Sequence, residues 1–283
     1  MDPKRAGWQV RGAAWVLIGF IVLPFLIVVP VSFTDRSYLS MPEHALSLMH
    51  YRELFDDADW RDAFVRSLVI ATVTAGFALA FGAAAAFGCW RLPSRVGNAV
   101  RVLILLPLIV PQVVQGLALY RTWVDLGLVN TYAGIILAHT ITAIPLVFIA
   151  VSAALANVDP RLEMAARSLG AGTLRTLLWV LVPVVTPGML SGALFAFVHS
   201  FDELIIVLFI TTRGVDTLPK RMWMSLEDDM TPVIACVAVI LGVLTFALLM
   251  LELAVRARAE RTGAARTPVA ADLQGLHVTE AAE

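Results

Sequence analysis

Of the 283 residues of this chain, 59% are hydrophobic and only 15% are charged, and the mean hydropathy is +0.81, a balance that excludes an ordinary soluble domain. The formal net charge of −1 offers no basic field for nucleic acid. The composition makes the chain an integral membrane protein, and its two cysteines, Cys89 and Cys236, both fall in or at the end of apolar runs, so neither a disulfide framework nor a zinc site is indicated.

Apolar runs of about 18 residues or more suffice to cross a bilayer core as helix. Six stretches qualify, near residues 13–33, 67–90, 102–120, 132–156, 187–210 and 233–255, so the expected fold is all-α with six transmembrane helices. A tail, residues 1–12, precedes the first and carries Lys4, Arg5 and Arg11. That arrangement is shared with a signal peptide, but the apolar run is too long and no small-residue cleavage site follows Pro30, so the helix is read as retained. Lys and Arg collect after the second span (Arg91, Arg95, Arg101) and between the fourth and fifth (Arg161, Arg167, Arg175). By the excess of such residues in cytoplasmic loops, both termini are expected inside. Residues 34–66 then lie outside, where Tyr51, Leu54, Phe55, Trp60 and Phe64 form a helical stripe suited to lying on the membrane surface or on the protein's own bundle.

Inside the third span, Pro107 and Pro111 should break the helical ladder, and irregular backbone at membrane depth is tolerated where it is buried or lines a cavity. Gln112 and Gln115 follow, either as lining residues of a pathway or as side chains that satisfy freed carbonyls. His139 in the fourth span reads as a helix-to-helix hydrogen bond, and no metal site is expected around it.

The polar segment DPRLEMAARSLGAG, 159–172, is the most patterned stretch outside the membrane. Asp159 suits an N-cap and Pro160 a first helical turn. Leu162, Ala165, Ala166 and Leu169 share a face, with two alanines permitting close approach of another surface, and Gly170 suits a left-handed helix end. A second helix bearing Leu174, Leu177 and Leu178 should run to Pro183 and on into the fifth span. That span holds the strongest chemical signal in the membrane, because Asp202 and Glu203 occur together where an ionised carboxylate costs about 2.5–3.5 kcal/mol. No Lys or Arg occupies the central part of any span, so the interior is acidic and a cation is its natural partner. Adjacent residues point about 100° apart on a helix. One carboxylate is therefore expected to face a pathway, Asp202 first, while the other contacts a neighbour. The alternative is a bracing carboxylate, with His199 four residues before Glu203. Residues 211–232 place Met222, Trp223 and Met224 between Lys220, Arg221 and the acidic Glu227, Asp228 and Asp229, as interfacial anchoring does. The tail 256–283 is Ala- and Arg-rich without apolar periodicity and is expected to be disordered. No G-x-x-x-x-G-K-[ST] occurs, so any ATP-driven step needs another polypeptide.

The Ala165–Ala166 pair, Gly170 four residues on, and the apolar stretch closing on Pro183 resemble the ATPase-gripping loop of binding-protein-dependent ABC importer permeases. The resemblance covers roughly residues 10–255. SFDELIIVLFITT (200–212) and TLPKRMWMSLEDDMTP (217–232) are most similar to the spermidine/putrescine-type subfamily. It implies a type I importer permease fold over 13–255 with a coupling-helix loop at 157–185. In that loop Glu163, Ala165, Ala166, Leu169, Gly170 and Pro183 would meet the ATPase. The family motif has Glu directly before the alanines, where this chain has Met164, with Glu163 one place earlier. Asp202, Glu203, Gln112, Gln115 and His199 become the candidate substrate pathway.

The resemblance further implies a multi-pass protein of the bacterial inner membrane that pairs with two ABC ATPase subunits, a second and different permease chain, and a periplasmic or extracellular solute-binding protein. Its surroundings are lipid, it binds no nucleic acid, and it is not itself an enzyme. No cofactor is expected in this chain, ATP and Mg being bound by the ATPase. Polyamines lead the substrate classes, with opines, amino-phosphonates, thiamine and metal ions as alternatives. A proton-coupled secondary transporter using Asp202, Glu203 and the histidines is the competing class, although no internal repeat of the kind common there is evident.

Overall fold

A computed structural model of the chain describes residues 3–92, 94–212, 214–228 and 230–264. They form helices α1 (Pro3–Val31), α2 (Met49–Asp56), α3 (Ala58–Arg91), α4 (Arg95–Ile109), α5 (Gln112–Leu126), α6 (Tyr132–Ala156), α7 (Pro160–Ser168), α8 (Thr173–Thr176), α9 (Val182–Phe201), α10 (Ile205–Ile210), α11 (Leu218–Asp228) and α12 (Val233–Ala264). A π-helical turn, Leu177–Leu181, joins α8 to α9. Among the described residues five helical stretches are long and apolar enough to span a membrane, and a sixth is obtained if the bent pair α4 and α5 counts as one. That agrees with the all-helical, multi-span expectation.

Several boundaries differ from the sequence reading. Helix α1 begins at Pro3, inside the segment taken as a tail, and α12 continues past 255 to Ala264. The rest of the C-terminal segment, 265–283, lies outside the described residues, as does Asp229. The third apolar segment is two helices, because Pro107 and Pro111 cannot donate to the ladder and Pro111 sits in extended backbone (φ −57°, ψ 137°) before α5. The fifth is also two, α9 ending at Phe201 and α10 starting at Ile205. The π turn precedes Pro183, whose ring would clash with the carbonyl of Trp179 in a regular α-helix, so the wider turn relieves the crowding.

The chain divides into two compact units. The first comprises 1–74, 107–142 and 197–246. Its core has two clusters: Leu54, Trp60, Ala71, Phe201, Leu218, Val233, Cys236 and Val237, and then Ile70, Trp123, Ile135, Ala138, Ile206, Val207, Ile210 and Val215. Of the two settings expected for the stripe at 51–64, the membrane surface or the protein's own bundle, it takes the second and is largely internal. Leu54 and Trp60 are core residues, Tyr51 and Phe64 pack against them, and Phe55 is the exposed member. Trp123 donates its indole N–H to the Gly134 carbonyl at 2.8 Å, and α5 ends at Gly127 in the left-handed conformation (φ 67°). Lys220, which flanks the Met222–Trp223–Met224 run, is buried and paired with Asp216 at 2.9 Å and Thr211 at 3.2 Å. Arg221 lies 3.3 Å from Asp59 and over the Trp60 ring. In the connection between α1 and α2 the Asp35 carboxyl is held below its usual range by the Glu43 backbone N–H, and Arg36 pairs with Glu43.

Of the described residues, the second unit comprises 75–92, 94–106, 143–196 and 247–264. Here α6 meets α3 and α9 through small residues, the usual route to close packing in lipid. A Cβ at Gly82 would lie 2.8 Å from Val147 Cβ, at Gly188 2.5 Å from Ala154 Cβ, and at Gly192 3.0 Å from Val147 Cα. Gly192→Leu is therefore expected to lower the melting temperature of the purified protein, with about 1–3 kcal/mol of overpacking and Gly192→Ala intermediate between the two. An unchanged melting curve would show that α6 and α9 part freely at this point.

Candidate functional site

Two constellations carry chemistry. The first is the loop at 157–185 in the second unit. The Asp159 side chain accepts the Arg161 N–H at 2.8 Å with Pro160 at the first helical position, which starts α7 as the residue types demand. The helix ends at Gly170 (φ +82°), where the Gly170 N–H bonds the Arg167 carbonyl at 2.9 Å and the Ala171 N–H the Ala166 carbonyl at 3.0 Å. This is a Schellman end, which puts a left-handed residue at 170 and turns the chain toward α8.

Leu162, Ala166, Leu169, Ala171, Arg175, Trp179 and Val180 line a largely apolar cleft of about 560 Å³ on one side of α7. Leu169 is 89% exposed and Trp179 78%, while Ala165, Gly170 and Pro183 are exposed and Ala166 is half-buried. Apolar side chains this exposed form a patch of the kind that proteins or membranes contact. On the other side Trp90, Arg91, Pro160, Glu163, Met164 and Arg167 line a second cleft. There Glu163, 17% exposed, pairs with Arg91 at 2.8 Å and Arg167 at 2.9 Å, and Met164 faces outward at 58% exposure.

The second constellation lies in the first unit, where two helices begin in mid-segment. Glu203, 4% exposed, accepts the Ile206 backbone N–H at 3.0 Å near the start of α10 and the Gln112 side-chain N–H at 2.9 Å at the start of α5. One buried carboxylate thus joins two helix starts, each with N–H groups that favour negative charge. Asp202, immediately before it, is exposed. Gln112, Val198, His199, Asp202, Glu203, Leu204 and Ile205 line a cavity of about 250 Å³ with no Lys or Arg among its lining residues.

Gln115 is not brought to that cavity: it donates to the Pro107 and Val110 carbonyls at 2.8 and 2.7 Å, groups that the broken ladder leaves unbonded. His199 bonds Thr142 at 3.0 Å, and His139 bonds Ser200 at 2.8 Å. Sequence reasoning missed Arg91 as a partner of Glu163. The two are 72 positions apart, beyond the reach of any spacing rule.

The family described as "Binding-protein-dependent transport system inner membrane component" matches residues 76–260, which include the whole loop and every residue that lines the carboxylate cavity. Among curated relatives, the spermidine/putrescine transport system permease protein PotC of Haemophilus influenzae is 26% identical over 238 residues, covering 84% of this chain and 92% of that protein. The putrescine transport system permease protein PotI of Escherichia coli K12 is 30% identical over 250 residues, covering 84% of this chain and 86% of that protein. A probable molybdenum ABC transporter permease of Haloferax volcanii is 30% identical over 199 residues, covering 67% of this chain and 74% of that protein. Of solved structures, a bacterial ABC transporter for import of the acidic polysaccharide alginate superimposes with a TM-score of 0.69 at 13% identity, covering 91% of this chain and 96% of that one. The fold is therefore that of ABC importer permeases. The chain belongs to the binding-protein-dependent ABC importer permeases, non-catalytic multi-pass subunits whose systems include an ATPase and a solute-binding protein.

Proposed function

We propose that this permease moves a small polyamine, putrescine or spermidine, as one half of a translocation pathway, its partner being a second and different permease chain. The observation that carries the reading is the exposed Asp202 carboxylate in a cavity that offers Glu203, Gln112 and His199 but no cation. A diammonium solute supplies the missing positive charge, and charged hydrogen bonds contribute about 1.5–3 kcal/mol each. The polyamine names of the two relatives that each match 84% of the chain support the same class.

Under this reading one of two ATPase subunits docks on the loop at 159–183 through Ala165, Ala166, Leu169 and Gly170, and both termini lie in the cytoplasm. Closure of the ATPases on ATP moves α7, and the spans switch access to the cavity. Membership of the family sets aside the proton-coupled secondary transporter, since the energy source of such systems is ATP.

The test is uptake of labelled putrescine into proteoliposomes holding the whole assembly, with molybdate as the competing solute suggested by the Haloferax relative. ATP-dependent, saturable putrescine uptake that molybdate does not inhibit is the expected result. Transport of the oxyanion alone would overturn the polyamine assignment.

A further inference from the structure

The loop at 157–185 contains two acidic residues, Asp159 and Glu163, and both are engaged within the chain. Asp159 caps α7. Glu163 is drawn to the other side of the helix from the apolar cleft, where Arg91, itself only 20% exposed, holds it at 2.8 Å. Arg91 is the last residue of α3. The pair therefore ties the first turn of the loop helix to the end of a long membrane-spanning helix. Arg167, at 58% exposure, shares the same carboxylate oxygen from the next turn of α7.

We infer that Glu163 is a positioning residue internal to the permease, a strut from α7 to α3 through Arg91, and that the surface left for the ATPase is apolar and cationic. This deepens the docking reading proposed above and rests on it. Three features support the assignment. The carboxylate is the least exposed polar group on α7 and meets two guanidiniums, so its negative charge is not free for a partner. Its place beside the alanines is taken by Met164, which is exposed and uncharged. The outward groups include Leu162, Leu169 and Trp179 with Arg161 and Arg175, a set that fits an apolar groove with acidic residues at its rim.

A loop helix joined to its span only by a flexible connection would tilt when pushed. One tied to the span by a guanidinium–carboxylate pair moves the span with it. The coupling is thus carried by a specific pair, and a pair can be reversed.

The experiment uses the full assembly with its ATPase. Spin labels at Leu92→Cys and Ser168→Cys report the distance between the end of α3 and the end of α7, and the ATPase recovered with tagged permease reports docking. Arg91→Gln and Glu163→Gln are each expected to add a second, longer-distance population while the ATPase is still captured. The reversed pair, Arg91→Glu with Glu163→Arg, is expected to restore the single short distance. Loss of ATPase capture in Glu163→Gln but not in Arg91→Gln would make Glu163 a direct contact and overturn the strut. A single narrow distance in both neutral variants, or no recovery in the reversed pair, would do the same. Failure of the docking reading itself has a separate signature, since the unsubstituted permease would then capture no ATPase.

Discussion

Uptake of putrescine by the Asp202→Asn assembly is expected to fall about tenfold at subsaturating solute, mainly through a raised KM, with assembly and ATPase capture retained. Asp202 is exposed at the break between α9 and α10, so the substitution removes a charge without emptying a packed core. The amide keeps the shape and one acceptor oxygen but loses the attraction for an ammonium group, and a lost charged hydrogen bond of about 1.5 kcal/mol corresponds to roughly a tenfold change. Glu203 behaves differently because it holds the Ile206 N–H and Gln112 at two helix starts. Glu203→Gln can keep both bonds if the Gln112 amide turns over, whereas Glu203→Ala strands a buried backbone donor at a cost of about 1–3 kcal/mol. The order of severity for uptake is expected to be Glu203→Ala, then Asp202→Asn, then Glu203→Gln, with only the first lowering thermal stability. Should Asp202→Asn and Glu203→Gln combined leave uptake of every cationic solute unchanged, the cavity is no cation site.

Gly170→Asp should abolish recovery of the ATPase while the permease itself inserts and folds. Among the described residues, apart from its chain neighbours, nothing lies within 4 Å of a Cβ placed at residue 170, so a side chain there meets no obstacle among them. The left-handed backbone (φ +82°) costs a typical residue roughly 1–2 kcal/mol, and Asn and Asp tolerate it better than most. Conformational strain is therefore small, and what the added carboxylate disturbs is the surface that docks. Ala166→Asp, in the wall of the apolar cleft, is expected to act in the same direction by placing an unpaired charge in a desolvating contact. The control is Gly170→Asn, which keeps the preference for the left-handed backbone but adds no charge. It is expected to retain more ATPase than Gly170→Asp. Equal and undiminished capture in all of these variants, measured by quantitative mass spectrometry of the purified assembly, would remove the loop from the docking surface.

These outcomes turn on features of two kinds. The α7 cap, its proline start and its left-handed end were legible in the sequence because each depends on residues within a few positions: Asp159 reaches Arg161, Pro160 fixes its own φ, and Gly170 alone relaxes a positive one. Membrane class was legible for a similar reason, since the free energy of transfer sums over a contiguous apolar run. The breaks in the third and fifth apolar segments differ in this respect. Pro107 and Pro111 announced the first, whereas nothing in SFDELII marks the second as a helix end.

Partner choice belonged to the tertiary structure. Gln112 and Gln115 are equivalent amides three positions apart, yet one meets Glu203 and the other the carbonyls freed at Pro111. The stripe at 51–64 is amphipathic in either setting, and only the arrival of Phe201, Leu218 and Val237 makes it core instead of membrane surface. Glu163 could satisfy its charge on any cation within reach, and Arg91, 72 residues earlier, is brought there by the packing of the second unit. Short-range steric and hydrogen-bond rules are written in neighbouring residues and can be read there, while the pairing of buried polar groups is settled by which distant segments the fold brings within 3 Å of one another.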